Sequence, residues 1–145
     1  MNKFKTQSGF TLIEIMVVVV ILGILATIIV PKIVNRPDEA RIVKAKQDIL
    51  ALQNALDLYK LDNGFYPSTD QGLAALVNKP NSSPIPSQWK AYLTTLPADP
   101  WNRPYQYLNP GQHSEIFTYG ADGLPDGTGM NATIGNWNVH NTPSA

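Results

Sequence analysis

No cysteine occurs in this chain of 145 residues. That excludes a disulfide framework, a thiol nucleophile and thiolate metal sites, and it leaves the compartment open. Charge of either sign is not in excess. Eleven Lys and Arg balance 11 Asp and Glu, so no nucleic-acid or anionic-lipid footprint is expected. Histidine is scarce: His113 falls in a predicted turn and His140 in the tail, neither beside a nucleophile nor at metal-ligand spacing. Phosphate loops and dinucleotide fingerprints are missing as well. Asp122 and Asp126 read as turn residues or ligands in preference to a pair of catalytic acids. The expectation is a structural protein with no enzymatic activity, built as one small domain plus an extended element.

What the chain does have is a long apolar run. Met1 to Gly9 is short and polar, with Lys3 and Lys5, and Phe10 to Val30 is apolar almost without interruption. About 20 such residues at 1.5 Å rise suffice to cross a bilayer's hydrocarbon core. A domain this small could not cover such a helix on all sides, which disfavours a buried core helix. Lys3 and Lys5 hold the N-terminus in the cytoplasm and place the rest of the chain across the membrane.

The stretch G-F-T-L-I-E at Gly9 to Glu14 closely resembles the prepilin peptidase site of type IV pilins and type II secretion pseudopilins. The resemblance implies cleavage between Gly9 and Phe10 and N-methylation of Phe10. An ordinary secretory signal carries its apolar region before the cut. Here the cut precedes it, so the anchor stays on the mature protein.

Glu14 lies inside the apolar run, where a carboxylate at the bilayer centre costs about 3 kcal/mol and usually has a partner. Cleavage would give Phe10 an α-amine with a pKa of about 8. Phe10 and Glu14 are four apart, hence on one helix face. Glu14 is therefore the candidate partner of that amine, in its own chain or in a neighbour, where the pair would set the register of assembling subunits. The plainer alternative is a hydrated Glu14 that only favours the helix N-terminus. Gly23 and Pro31 weaken the helix further along. They read either as a simple kink or, as resemblance to filaments of related pilins implies, as the ends of a segment that melts when subunits stack.

After the polar break at Asn35 to Ala40, Ile42, Ala45, Ile49, Leu52, Leu56 and Tyr59 repeat at spacings of three and four, one helical stripe. Pro37, Asp38 and Glu39 suit a helix start and Asn63-Gly64 a stop. Leu50, Ala51, Leu58 and Leu61 widen the apolar surface. A broader core face is the expectation for them, and contacts with sheet edges or neighbouring subunits the alternative. Ser68 and Gln71 form a capping-box pattern, which predicts a short helix through about Val77. Lys79 to Gln88 reads as a surface loop, and Tyr105–Leu108 and Ile116–Tyr119 as strands of a small antiparallel sheet. Trp89, Trp101 and Trp137 are expected to anchor the core in preference to forming a sugar platform.

The resemblance widens along the chain. D-L-Y-K-L-D-N-G-F-Y-P-S-T-D-Q-G-L-A-A-L at Asp57 to Leu76, L-P-A-D-P-W-N-R-P-Y-Q-Y at Leu96 to Tyr107, Y-G-A-D-G at Tyr119 to Gly123 and G-N-W at Gly135 to Trp137 closely resemble the G-type major pseudopilins. It implies a pilin-like α+β fold: a long N-terminal helix with a membrane-spanning first half, and a small antiparallel head. The expected division is a leader at 1–9, a polymerisation helix at 10–30, the exposed half of the helix at 31–63 and a periplasmic head at 64–145. It also implies a homopolymer and, as partners, a prepilin peptidase and methylase, minor pseudopilins and an inner-membrane assembly platform. The expected place is the bacterial inner membrane, from which a periplasmic pseudopilus grows to drive folded proteins outward. A type IV pilin for adhesion or motility is the alternative, and a tethered binding protein that never polymerises is a third reading.

The same resemblance implies calcium in the loop Gly120 to Trp137. The hard oxygens there suit that ion. Asp122 matches the family's first carboxylate, but Thr133 stands where many relatives carry Asp. Asp126 and Asn131 are candidate replacements, with the backbone carbonyls of Tyr119 and Met130 completing the set.

Overall fold

The computed structural model describes residues 9–34 and 36–141, with the backbone alone at 27–34 and 36. It divides into two compact units, Met1–Asp38 and Glu39–Ala145. The leader tip, Asn35 and the last four residues lie outside the described residues.

In the first unit, helix α1 spans Leu12–Val34. Its apolar residues occupy every face, so no side is set apart for a core. Each large apolar side chain from Leu12 to Leu25 is at least half exposed. The backbone stays helical through Gly23 and Pro31. Among the described residues, no helix is long and apolar enough to cross a membrane. The apolar run in the sequence continues to Val30, through residues whose side chains are not described.

Helix α2 spans Arg36–Asn63, with Pro37 in its first turn. In the second unit the predicted stripe forms the spine of the core: Ala45, Ile49, Leu52, Leu56 and Tyr59 are buried, and Ile42 packs against them. Gly64 ends the helix in a left-handed conformation, φ +85°, its N–H donating to the Lys60 carbonyl at 2.7 Å. The broader core face expected for Leu50, Ala51, Leu58 and Leu61 is not formed. All four are exposed, Leu61 at 79%, because they project from the helix away from the buried stripe.

Against that stripe lies a three-stranded antiparallel sheet, β1 (Gln106–Leu108), β2 (Glu115–Thr118) and β3 (Ile134–Gly135) in that order. The first two are the predicted strands, shifted by about a residue. The third, two residues long, pairs Gly135 with Phe117 and Ile134 with Thr118 and carries too little alternation to be read in advance. The capping box at Ser68 is real: the Ser68 N–H donates to Gln71 Oε1 at 2.9 Å and the Gln71 N–H to Ser68 Oγ at 3.1 Å. It closes a turn, however, and not the predicted helix. Gly72, at φ +62°, breaks the path, and only a 3₁₀ turn at Leu73–Leu76 follows. The Gln71 amide instead ties down the surface loop, donating to the Ser82 and Pro84 carbonyls at 2.7 and 3.0 Å.

Three tyrosines of the head clamp three aspartates of α2, each at 2.8 Å: Tyr105 to Asp48, Tyr66 to Asp57 and Tyr92 to Asp62. Burial, then the neighbouring carboxylate, raises Tyr92 to about 12 and pushes Tyr105 and Tyr66 upward too. Burial also raises Tyr59 and Tyr107. On the acid side, the Tyr92 hydroxyl and then Lys90 hold Asp62 below its ordinary range.

Leu56 is wholly buried and Leu61 is exposed. Leu56→Ala is expected to lower stability by about 2–5 kcal/mol and Leu61→Ala by less than about 0.5 kcal/mol, read by chemical denaturation of the detergent-solubilised chain. The raised phenols stabilise the fold fully below their ordinary pKa, and that contribution is lost as pH rises through the folded values. Circular dichroism should therefore hold steady to about pH 10 and fall beyond it.

Candidate functional site

Two regions carry the candidate residues, one in each unit. At the start of α1, Thr11 is the N-cap. The Glu14 N–H donates to Thr11 Oγ1 at 3.3 Å, and the Thr11 N–H donates back to Glu14 Oε2 at 3.2 Å. This is a reciprocal capping box. The T-x-x-E spacing at Thr11 to Glu14 is the sequence signal for it. Phe10 precedes the helix instead of belonging to it, which corrects the premise that it shares a regular helical turn with Glu14. The two nonetheless line one groove, together with Ile15, Val18 and Val19. The Gly9–Phe10 bond lies before the first helical residue, in exposed chain without regular structure. Glu14 folds back to the amide next to Phe10, so its carboxylate sits within one residue of the amine that cleavage would create.

In the second unit, the loop from Gly120 turns back on itself. The Ala121 N–H donates to the Met130 carbonyl at 2.9 Å. Gly120 has φ +84°, and a Cβ there would meet the Met130 and Ala132 carbonyl oxygens at 2.7 and 2.8 Å. Only glycine permits that approach, and it gathers backbone oxygens into a cradle. Asp122 is exposed and accepts the Leu124 N–H at 3.0 Å through Oδ1, leaving Oδ2 for another partner. Asp126, left-handed at φ +65°, and Asn131 are exposed. The Thr133 carbonyl accepts from the Asn138 amide at 3.1 Å. All these donors are oxygens, which suits calcium. Among the described residues, however, no three His, Cys, Asp or Glu side chains group to hold a metal. An ion here would lean on carbonyls and amides as much as on carboxylates.

The remaining chemistry-bearing side chains are structural or scattered. Trp89 donates its indole N–H to the Ala75 carbonyl at 2.7 Å and, like Trp101, packs on the core. Trp137 departs from expectation: it is 56% exposed and rests on Gly135 and Phe117. His113 and His140 line one open cleft of about 420 Å³ with Gln53, Glu115 and Trp137. The contact of His113 there is Glu115, at 3.4 Å. Sequence reasoning also missed Asp99. It is buried, and it accepts N–H groups from Trp101 and Arg103 and the Thr118 hydroxyl at 3.0, 2.8 and 2.6 Å. The A-D-P-W-N-R-P run signalled a turn but not its partner on β2.

Residues 32–137 match the family "Type II secretion system (T2SS), protein G", and residues 4–30 match the "Prokaryotic N-terminal methylation motif". The type II secretion system core protein G of Pseudomonas aeruginosa is 57% identical over 137 residues, covering 92% of this chain and 96% of that protein. Its counterpart in Vibrio cholerae is 54% identical over 143 residues, covering 96% and 97%. A crystal structure of the major pseudopilin from the type 2 secretion system of enterohaemorrhagic Escherichia coli aligns with a TM-score of 0.62. It is 44% identical and covers 72% of this chain and 92% of that one. A match over most of the chain, together with the capped apolar helix and the small antiparallel head, places this protein in the type II secretion system protein G family, the major pseudopilins.

Proposed function

We propose that the chain is held in the inner membrane by the run Phe10 to Val30, is cut after Gly9 and methylated on Phe10, and polymerises into a periplasmic pseudopilus that drives folded proteins across the outer membrane. The observation that carries this reading is α1 itself. Its apolar side chains are exposed on every face while its one carboxylate is folded onto the helix start. Such a surface needs lipid before assembly and copies of itself afterwards. Prepilin peptidase, minor pseudopilins and an inner-membrane assembly platform are the chain's proposed partners. The match to protein G over 32–137 favours secretion over adhesion or motility. The segment from Gly23 to Pro31, helical in the single chain, is proposed to lose its helix when subunits stack, as its glycine and proline would allow.

Two substitutions separate the roles of Glu14. Gln also serves at the third position of a capping box but carries no charge. Both Glu14→Gln and Glu14→Ala are expected to insert and be processed normally. If the carboxylate pairs with the Phe10 amine, both lose filaments in electron micrographs and secretion in culture. Normal filaments from Glu14→Gln would rule out the charge pair and leave only the cap.

Calcium is proposed to bind the loop through Asp122 and backbone carbonyls, with Asp126 and Asn131 supplying oxygen where Thr133 lacks a carboxylate. Bound ion stabilises by mass action, reaching about 2.7 kcal/mol at a hundred times Kd. The melting temperature of the full chain should therefore rise with calcium, and Asp122→Ala should abolish the rise. A melting curve that ignores calcium in the parent chain would remove the site.

A further inference from the structure

One side chain joins the turn Asp99–Arg103 to the loop that follows β2. Arg103 donates Nη1 to the Gly120 carbonyl at 2.8 Å and Nη2 to the Ala121 carbonyl at 3.0 Å. A guanidinium fork with two charge-assisted bonds fixes two successive peptide planes. It also lies hard against Gly123. A Cβ there would meet Arg103 Cζ at 2.7 Å and Nη1 at 2.9 Å, and Gly123 has φ +69°. Arg103 is itself held from behind. Its N–H donates to Asp99 Oδ1 at 2.8 Å, its carbonyl accepts the Asp99 N–H at 2.8 Å, and Asp99 Oδ2 takes the Thr118 hydroxyl at 2.6 Å. A continuous path thus runs from β2 through a buried carboxylate and a guanidinium into the loop.

Backbone carbonyls are the kind of oxygen a calcium ion would collect, and here two of them already accept from the Arg103 guanidinium. We infer that Arg103 is a built-in cation that forms the first turn of this loop, residues 120–124, before any metal arrives. The inference concerns the same loop as the calcium reading but does not depend on it. Like charges repel, so Arg103 replaces the metal's structural work at this turn and does not help to capture the ion. Calcium then has only the rest of the loop, residues 126–133, left to order.

Residue-resolved hydrogen exchange on the full chain in detergent micelles tests this, in chelator and with calcium chloride, for the parent, Arg103→Lys and Arg103→Ala. The amides to follow are Ala121, Gly123 and Leu124, each hydrogen-bonded within the loop. In chelator they should be protected in the parent and exchange about tenfold faster or more in Arg103→Ala, since two charged hydrogen bonds are lost. Arg103→Lys keeps the charge but not the fork, and should fall between. Unchanged exchange along α2 shows that the variants remain folded. Exchange at the parent's rate in Arg103→Ala overturns the inference, as does protection of these amides in the parent only when calcium is present. Residues 126–133 report separately on the metal. If they ignore calcium in the parent, the calcium reading fails, and the comparison in chelator still decides the role of Arg103.

Discussion

Apolar helix surface must be covered, and the rest of the structure follows from how each helix meets that demand. Helix α2 meets it inside its own unit. One stripe, from Ile42 to Tyr59, is buried against the turn at Leu73–Leu76, Tyr105 and Tyr107, Ile116 and Ile134. At about 25 cal/mol per Å² of apolar area removed from water, such a stripe outweighs any single polar contact in the head. Helix α1 leaves the demand unmet: among the described residues its large apolar side chains, from Leu12 to Leu25, are exposed. The two helices differ less in propensity than in pattern. A stripe can be satisfied by a domain, whereas a rod that is apolar all round can be satisfied only by lipid or by other rods.

The polar contacts sort the head into one arrangement. Three tyrosine hydroxyls reach across to three aspartates on α2. Each is modest alone, but they fix where the segment after the helix, the Trp89–Leu93 region and β1 settle along its length. The turn around Asp99 does the same for the far end of the sheet. Asn102 accepts a left-handed φ of 62° there, a conformation that a short polar side chain tolerates, so that Asp99 can gather two N–H groups and a hydroxyl. A buried carboxylate with every oxygen engaged is costly to break and specifies a unique packing.

Much of this was legible in the residues. The stripe on α2, its stop at Asn63-Gly64, the two longer strands and the apolar N-terminal run all follow from periodicity and turn chemistry, which act locally. The misses share a different cause. The Ser68 box is a local signal that predicts a helix, but Gly72 and the pull of Gln71 toward the 82–84 loop decide otherwise. β3 is two residues long and exists only because β2 offers it an edge. The tyrosine–aspartate clamps and the Arg103 fork join residues far apart in the chain, and spacing says nothing about such pairs. For the candidate loop, composition announced an oxygen-rich turn, while the guanidinium already inside it could be seen only after folding.

The position of the N-cap has one more consequence. Thr11 and Glu14, which together close the first turn of α1, both lie on the mature side of the Gly9–Phe10 bond. Removing the leader, as proposed, would therefore leave both of these bonds in place. Trimming at that bond would change the charge and length of the chain's tip and keep the cap that starts the rod.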